Sequence, residues 1–180
     1  MIYLYIKNVD EESLVAFLSS YPVISIIAKD QHFIQLGIDE DEYFNLHELR
    51  ELAIQELYND FTAFIMPASL GFPIESILSY LDKLNPGIYT IEQLIPEIVF
   101  LKFSGLKNLL KTYYMQLIGL DGIDTVMGFI KENQNASKAA KRLFMHRNTL
   151  NYRLDHFISK TEIDIKSFQG ALAIYLLFRV

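Results

Sequence analysis

The chain has 180 residues, of which 51% are hydrophobic and 21% charged, and this composition excludes a disordered chain. It has no cysteine, which excludes disulfides, zinc–thiolate sites, iron–sulfur clusters and thiol catalysis. The net charge of -6 is divided unevenly: residues 1–123 carry 7 basic and 17 acidic side chains, whereas residues 124–180 carry 9 and 5. The basic C-terminal segment therefore suits a polyanionic partner.

Residues 1–90 alternate between strand and helix patterns. Ile2, Leu4 and Ile6 recur at every second position, which predicts a strand, and Asp10 is placed to cap the helix that follows. Further patterns predict strands at 23–28, 32–36 and 61–66, and helices that begin at 39–42 and at 74. This mixture predicts a small α+β domain in mixed layers.

After Thr90 the strand signal fades and helical patterns dominate. Residues 91–103 and 106–118 have helical periodicity, with breaks expected at Pro96 and Gly105. Two glycines at positions 119 and 122 suggest a boundary there. We therefore predict an α+β domain at 1–90, a helical connector at 91–122 and an all-α domain at 123–180.

Three helices are predicted at the start of the all-α domain. The first begins at Asp124, the second covers 136–143, and the third covers Arg147–Ile158. The second helix turns Ala139 and Ala140 inward, where their small side chains let another helix cross closely. A short helix, a tight turn and a polar-faced helix together are typical of a helix-turn-helix.

The third predicted helix has one apolar face and one polar face. At 100° per residue, Leu150, Leu154 and Phe157 fall on the side expected to face the core. The opposite side and the opening turn are rich in hydrogen-bond donors, and Arg and Asn can each form two hydrogen bonds with guanine and adenine edges. The candidate DNA contacts are Ser137, Lys138, His146, Arg147, Asn148, Thr149, Asn151, Tyr152 and Arg153.

These candidates divide between base reading and phosphate binding. Arg147 and Asn148 carry the groups that suit base edges. The phosphate candidates are Ser137, Lys138, Thr149 and Arg153. Two residues have a structural alternative: His146 either contacts DNA or caps the third helix, and the ring of Tyr152 could cover the edge of the core.

A resemblance to a known family lies in the run Ala139-Ala140-x-x-Leu143-x-x-His146-Arg147-Asn148-Thr149-Leu150-x-Tyr152-Arg153-Leu154. This run resembles the C-terminal DNA-binding domain of the PucR-family regulators, which include the CdaR-type regulators. Ile163-Asp164 and the apolar helix at 168–178 resemble the end of the same domain. The resemblance covers about residues 123–180 and implies a transcriptional regulator. Its recognition helix would carry Arg147, Asn148, Thr149, Tyr152 and Arg153.

The resemblance also bears on the N-terminal domain. Members of the family usually place a sensor domain and a degenerate GGDEF-like domain before the DNA-binding element, and residues 1–90 could be a shortened relative of the latter. The chain contains no GGDEF-type signature, so we do not expect cyclic-dinucleotide synthesis. Whether an unidentified small-molecule effector acts on the protein is left open by the sequence.

Membrane and secretion segments are not visible in the sequence. The longest unbroken apolar run, Ala171–Phe178, falls short of the roughly 20 residues that a bilayer-spanning helix needs. Residues 1–7 lack the basic start and the cleavage site of a secretion signal. We therefore expect a cytoplasmic protein with no membrane partner.

The function predicted from these features is sequence-specific binding of double-stranded DNA, with helix 147–158 in the major groove of a site read by a homodimer. The dimer could form through the α+β domain, the helices at 91–118 or the last helix, whose stripe of Phe168, Leu172, Tyr175 and Leu176 we expect to face the core. The alternative is a non-catalytic protein-interaction module that retains the helix-turn-helix fold. No convincing cluster of acid, base and nucleophile occurs, so we predict no enzyme activity, cofactor or metal.

Overall fold

The computed structural model describes residues 1–6, 9–30, 33–39, 44–68 and 71–179. Its strands are β1 Ile2–Ile6, β2 Ile24–Lys29, β3 Ile34–Ile38, β4 Phe61–Ile65 and β5 Gly87–Tyr89. Its helices are α1 Glu11–Ser19, α2 Leu46–Leu57, α3 Ile74–Leu78, α4 Ile91–Phe100, α5 Ser104–Ile118, α6 Leu120–Lys131, α7 Ala136–Arg142, α8 Arg147–Thr161 and α9 Phe168–Arg179. The α+β fold class followed by an all-α segment is confirmed.

The chain forms two compact units, one of Met1–Met66 with Ile74–Thr90 and the other of Pro67–Pro73 with Ile91–Val180. The first unit is built on a five-stranded sheet in the order β2-β3-β1-β4-β5. Its pairs are antiparallel except for β4 and β5, which are parallel. The central strand β1 places Leu4 opposite Ile34 of β3 and Ala63 of β4.

The core of the first unit follows from the alternation in β1 and the apolar stripes of α1 and α2. Asp10 caps α1 as predicted, since its carboxylate accepts a hydrogen bond from the Ser13 amide at 2.8 Å. The strand and helix side chains then share one buried cluster: Ile2, Leu4, Leu14, Phe17, Leu18, Ile24, Ile34, Leu36, Leu46, Leu49, Ala53, Phe61 and Ala63.

Helix α2 begins later than the acidic run at 39–42 suggested. Its cap is Asn45, whose side-chain oxygen accepts a hydrogen bond from the His47 amide at 3.0 Å. Because Asn45 directly precedes the apolar stripe of α2, its side chain is better placed to cap the helix than the acidic side chains earlier in the sequence. The predicted residues 7, 31, 32 and 40–42 lie outside the described part of the chain, so no placement is given for them. The short parallel strand β5 was not predicted, because three residues show no readable alternation.

The predicted break at Pro96 is wrong, because Pro96 lies inside α4. The break predicted at Gly105 occurs slightly earlier, at residues 101–103, and Gly105 is the second residue of α5. A proline in a helix interior costs about 3 kcal/mol, but α4 buries Ile91, Leu94 and Ile98, and this burial offsets the lost hydrogen bond. No helix in the described ranges combines the length and the apolar character needed to cross a bilayer.

Helix α6 begins at Leu120, four residues before the predicted start at Asp124. The chain turns at Gly119, which has a φ of 77° that a side chain would strain. The boundary that we predicted between residues 122 and 123 therefore falls inside α6. The helices of 91–122 belong to the same compact unit as the all-α segment.

The face of α9 that packs inward is the opposite of the predicted one. The buried residues of α9 are Gly170, Ala171, Ala173, Ile174 and Leu177, whereas Phe168 is 79% exposed. Small residues allow close packing: a Cβ at Gly170 would lie 2.2 Å from the Asp164 carbonyl oxygen. Helix α4 packs against α9. Ile174 and Leu177 are buried on the same face as the small residues, whereas Leu172, Tyr175 and Leu176 of the predicted stripe are only half-buried.

Candidate nucleic-acid interface

Helices α6, α7 and α8 pack against one another as a trihelical segment. Ala139 and Ala140 are buried, as their small size predicted. The approach between α6 and the end of α7 is close, because a Cβ at Gly128 would lie 2.9 Å from the side chain of Leu143. The short helix α7 is therefore held at a fixed distance from α6.

The turn between α6 and α7 is fixed by hydrogen bonds to the loop before α9. Asn133 and Gln134 adopt left-handed φ angles of 53° and 59°. The side-chain Nε2 atom of Gln134 donates to the carbonyl oxygens of Ile165 and Ser167, each at 3.0 Å. Asn135 then caps α7 by accepting a hydrogen bond from the Lys138 amide at 3.1 Å.

The turn between α7 and α8 contains an exposed aromatic residue and a histidine cap. Phe144 is 98% exposed and has a left-handed φ of 51°. The Nδ1 atom of His146 accepts a hydrogen bond from the Asn148 amide at 3.2 Å, so His146 is the cap of α8. Of the two alternatives for this residue, the structure shows the cap, and DNA contact through its remaining ring atoms stays a prediction.

Helix α8 orients its two faces as its periodicity predicted. Leu150, Leu154 and Phe157 are buried, and the helix runs three residues beyond the predicted end to Thr161. The hydroxyl of Thr161 donates to the Phe157 carbonyl at 2.8 Å, and the chain leaves the helix through Glu162, which has a left-handed φ of 58°. The buried stripe fixes the rotation of α8 and therefore which side chains point outward.

The structure places nearly all the predicted contacts on the surface. Asn151 is half-buried, and the exposed candidates are Ser137, Lys138, His146, Arg147, Asn148, Thr149, Tyr152 and Arg153. At 100° per residue, Asn148 and Tyr152 lie directly opposite the buried stripe of α8. The other α8 candidates lie on its two flanks, with Arg147 and Asn151 on one flank and Thr149 and Arg153 on the other.

Two aromatic rings lie parallel on the outer face of α8. The ring of Tyr152 stacks on that of His156, with 6.4 Å between centroids and an interplanar angle of 13°. Tyr152 is 72% exposed, so its ring does not cover the core edge, which was the structural alternative.

Arg153 has a contact within the protein that the sequence did not reveal. Its Nη1 atom donates to the hydroxyl oxygen of Thr125 on α6 at 3.2 Å. The Thr125 hydroxyl in turn donates to the Asp121 carbonyl oxygen at 2.7 Å. Arg153 therefore joins α8 to α6, in addition to any contact that its exposed part could make.

Several cations of the trihelical segment are not neutralised by carboxylates. Within the described ranges, Lys138, Lys141 and Arg147 have no carboxylate oxygen within 4.0 Å, whereas Arg142 pairs with Glu132 at 2.6 Å. Lys141 was not among the predicted contacts. Its i, i+3 spacing from Lys138 would have placed both lysines on the outer face of α7.

Metal or cofactor ligands are not gathered at this surface. In the described part of the chain, no three His, Asp or Glu side chains come together in a way that could hold a metal ion. The exposed groups are guanidinium, ammonium, amide and hydroxyl groups, which bind anions and base edges through hydrogen bonds.

Comparison with known proteins identifies this segment. A family profile described as the PucR C-terminal helix-turn-helix domain matches residues 123–180. In Bacillus subtilis, the DNA-binding transcriptional activator AdeR is 41% identical over 54 residues, and the proline-responsive transcriptional activator PutR is 35% identical over 54 residues. Each of these two matches covers 30% of this chain and 13% of the relative.

A longer match extends into the first unit. The uncharacterized protein YxkF of Bacillus subtilis is 33% identical over 139 residues, which is 77% of this chain and 41% of the relative. The chain therefore matches less than half the length of these relatives.

A solved structure is similar in fold to the chain. The regulator of polyketide synthase expression from Bifidobacterium adolescentis superposes with a TM-score of 0.53 and 15% identity, over 98% of this chain and 76% of that one. The resemblance drawn from residues 139–154 is confirmed, because the profile of the PucR C-terminal helix-turn-helix domain matches residues 123–180.

Proposed function

We propose that the chain is a sequence-specific DNA-binding transcriptional regulator and that α8 is its recognition helix. One observation carries the proposal. The buried stripe of α8 holds the helix against α6 and α7, so its hydrogen-bond donors face outward where a duplex could meet them. In helix-turn-helix proteins the second helix enters the major groove and reads base edges with its N-terminal residues.

Base reading is assigned to the first turns of α8. Arg147 and Asn148 are exposed there, and a guanidinium group and a carboxamide group can each form two hydrogen bonds with a purine edge. Asn151 and Tyr152 follow one turn later on the same side of the helix. His146 supports this surface as the cap of α8, so its removal would disturb the positions of Arg147 and Asn148.

Phosphate binding is assigned to the exposed cations and hydroxyls around α8. Lys138 and Lys141 on α7 have no carboxylate partner in the described ranges, and Ser137 and Thr149 are exposed hydroxyls. Arg153 could reach a phosphate while its Nη1 atom stays on Thr125. Such contacts contribute affinity without sequence information.

We further propose that two copies bind one DNA site. A single recognition helix contacts few base pairs, and dimeric helix-turn-helix proteins read half-sites about 34–36 Å apart. The proposal includes no enzyme activity and no cofactor. The similarity to the transcriptional activators AdeR and PutR favours a role in transcription.

The experiment is a titration of the full chain with random-sequence duplex DNA over a range of salt concentrations. Because each neutralised phosphate releases counterions, the logarithm of the binding constant should fall linearly with the logarithm of salt concentration. Lys138→Ala should weaken all sequences alike and reduce the slope by about 1. Lys102→Ala, which removes an exposed lysine outside the trihelical segment, is the matched control and should change neither quantity.

Two results would contradict the proposal. Binding that does not depend on salt, or no binding at low salt, would favour the alternative of a protein-interaction module with a retained helix-turn-helix fold. Equal effects of Lys138→Ala and Lys102→Ala would show that α7 does not meet the phosphates.

A further inference from the structure

A groove of about 440 Å³ lies in the second unit, between α5, α6 and α9. The recognition helix α8 does not contribute to its lining. The apolar part of its lining, called the floor below, consists of Met115 from α5, Leu120, Ile123 and Met127 from α6, and Phe178 from α9. Two of these five residues are methionines, whose unbranched side chains adapt to ligands of different shape.

The rim of the groove is cationic. Lys111, Lys131 and Arg179 line it, and in the described part of the chain Asp124 is the single carboxylate in the lining. Among the described residues, none of the three cations has a carboxylate oxygen within 4.0 Å. The lining thus has an excess of positive charge that the protein itself does not neutralise.

Two of these cations lie over aromatic rings. The Lys111 Nζ atom is 5.9 Å from the ring centroid of Phe178, and the Arg179 Cζ atom is 5.5 Å from that of Tyr175. A cation–π contact is weaker than a buried ion pair, and it leaves N–H donors available for an oxygen ligand. Because Phe178 belongs to the apolar floor, Lys111 lies where the floor meets the rim.

Helix dipoles do not decide the potential of this groove. Helix α5 ends at Ile118 and α6 begins at Leu120, so a negative helix end and a positive helix end lie side by side. The contributions of these two ends largely cancel, and the partial negative charge at the C-terminal end of α9 is outweighed by the full positive charge of Arg179 at the same end. The charged side chains therefore set the sign, which is positive.

We propose that this groove binds an amphipathic organic anion, namely an aliphatic chain or ring that carries one carboxylate. The apolar part would cover Met115, Ile123 and Met127, and the carboxylate would accept hydrogen bonds from the rim cations. The volume lies within the range of about 300–1,000 Å³ that is usual for small-molecule sites. Since α6 packs against α8, an occupant of the groove would contact a helix that supports the recognition helix.

The test uses the full chain with ¹³C-labelled methionine methyl groups and decanoate as the probe. The chain has five methionines, at positions 1, 66, 115, 127 and 145. Decanoate, kept well below the concentration at which it forms micelles, should shift the methyl resonances of Met115 and Met127 in a saturable manner. The resonances of the other three methionines should not move. No DNA is present, so the outcome is independent of the proposed function.

Charge variants of the ligand and of the protein distinguish recognition of the carboxylate from nonspecific hydrophobic binding. Decan-1-ol and decyltrimethylammonium, which have the same chain without the negative charge, should bind at least about tenfold more weakly than decanoate. Lys111→Glu combined with Lys131→Glu should weaken decanoate binding at least about tenfold, whereas Lys102→Glu should leave it unchanged. The proposal is overturned if decanol binds as well as decanoate, if the shifts do not saturate, or if they appear at the other methionines.

Discussion

Replacement of Leu150 by alanine tests the orientation of α8, the proposed recognition helix. Leu150 lies at the centre of the buried stripe of α8 and has an exposure of 0%. Leucine to alanine removes three carbon groups, which at about 0.8 kcal/mol each corresponds to about 2.4 kcal/mol of lost burial. The cavity that remains raises the expected loss of stability to about 2–5 kcal/mol. Leu150→Met, which roughly keeps the volume, should cost less than about 1.5 kcal/mol.

The matched control lies on the opposite face of the same helix. Tyr152 is 72% exposed, so Tyr152→Ala should change stability by no more than about 0.5 kcal/mol. Because the chain has two compact units, a global unfolding curve can mix their transitions. Amide hydrogen exchange resolved to α7 and α8 reports the free energy of opening of this segment directly. Equal loss of protection in Leu150→Ala and Tyr152→Ala would refute the assignment of faces.

Three further predictions concern an ion pair, a buried hydroxyl and a helix cap. Hydrogen bonds from Arg50 at 2.5 and 2.6 Å lower the pKa of Asp60. The pair therefore stabilises the fold above the unfolded-state pKa of Asp60, and this stabilisation is lost as pH falls through the lowered pKa. The parent should be more stable than Asp60→Asn by about 1 kcal/mol at neutral pH, and acid denaturation curves should show this difference vanish. Burial raises the pKa of Tyr114, and its hydroxyl has no hydrogen-bond partner among the described residues. Tyr114→Phe should therefore raise the melting temperature and increase the free energy of unfolding by about 1 kcal/mol. A lower melting temperature would show that the hydroxyl has a partner. His146→Ala should cost about 1 kcal/mol of helix stability while His146→Asn retains the cap, and equal stability of the two variants would count against a capping role.

The trihelical segment was the most predictable part of the fold. Leu150, Leu154 and Phe157 repeat at helical spacing, and the adjacent alanines at 139 and 140 mark a close crossing. These are local signals that no distant contact overrides. The end of α8 was predicted three residues early, because it depends on the Thr161 hydroxyl and the left-handed residue that follows.

The orientation of α9 could not be predicted from hydrophobicity. Both faces of α9 are apolar, so its periodicity does not indicate which face is buried. The buried face combines Ile174 and Leu177 with small residues, and Gly170 on this face lies within contact distance of the Asp164 backbone. Such close approaches depend on the tertiary arrangement and leave no pattern in the local sequence.

Part of the candidate site depends on contacts between distant residues. The hydrogen bond from Arg153 joins it to Thr125, 28 positions earlier in the chain. The sequence predicted that Arg153 is exposed and polar, which the structure confirms, but it did not indicate that one of its nitrogens is already engaged. Similarly, the sequence left open whether His146 caps α8, and the cap became evident only from the position of the Asn148 amide.

The most direct measurement for the central claim is selection of bound sites from a random DNA library with the full chain, repeated with Arg147→Ala. We expect an enriched motif with two-fold symmetry and half-sites about one helical turn apart. Arg147→Ala should weaken binding to that motif by about 1–3 kcal/mol and relax the preference at one position in each half-site. A library without enrichment, or the same motif and affinity with and without the Arg147 guanidinium, would contradict the proposed role of α8.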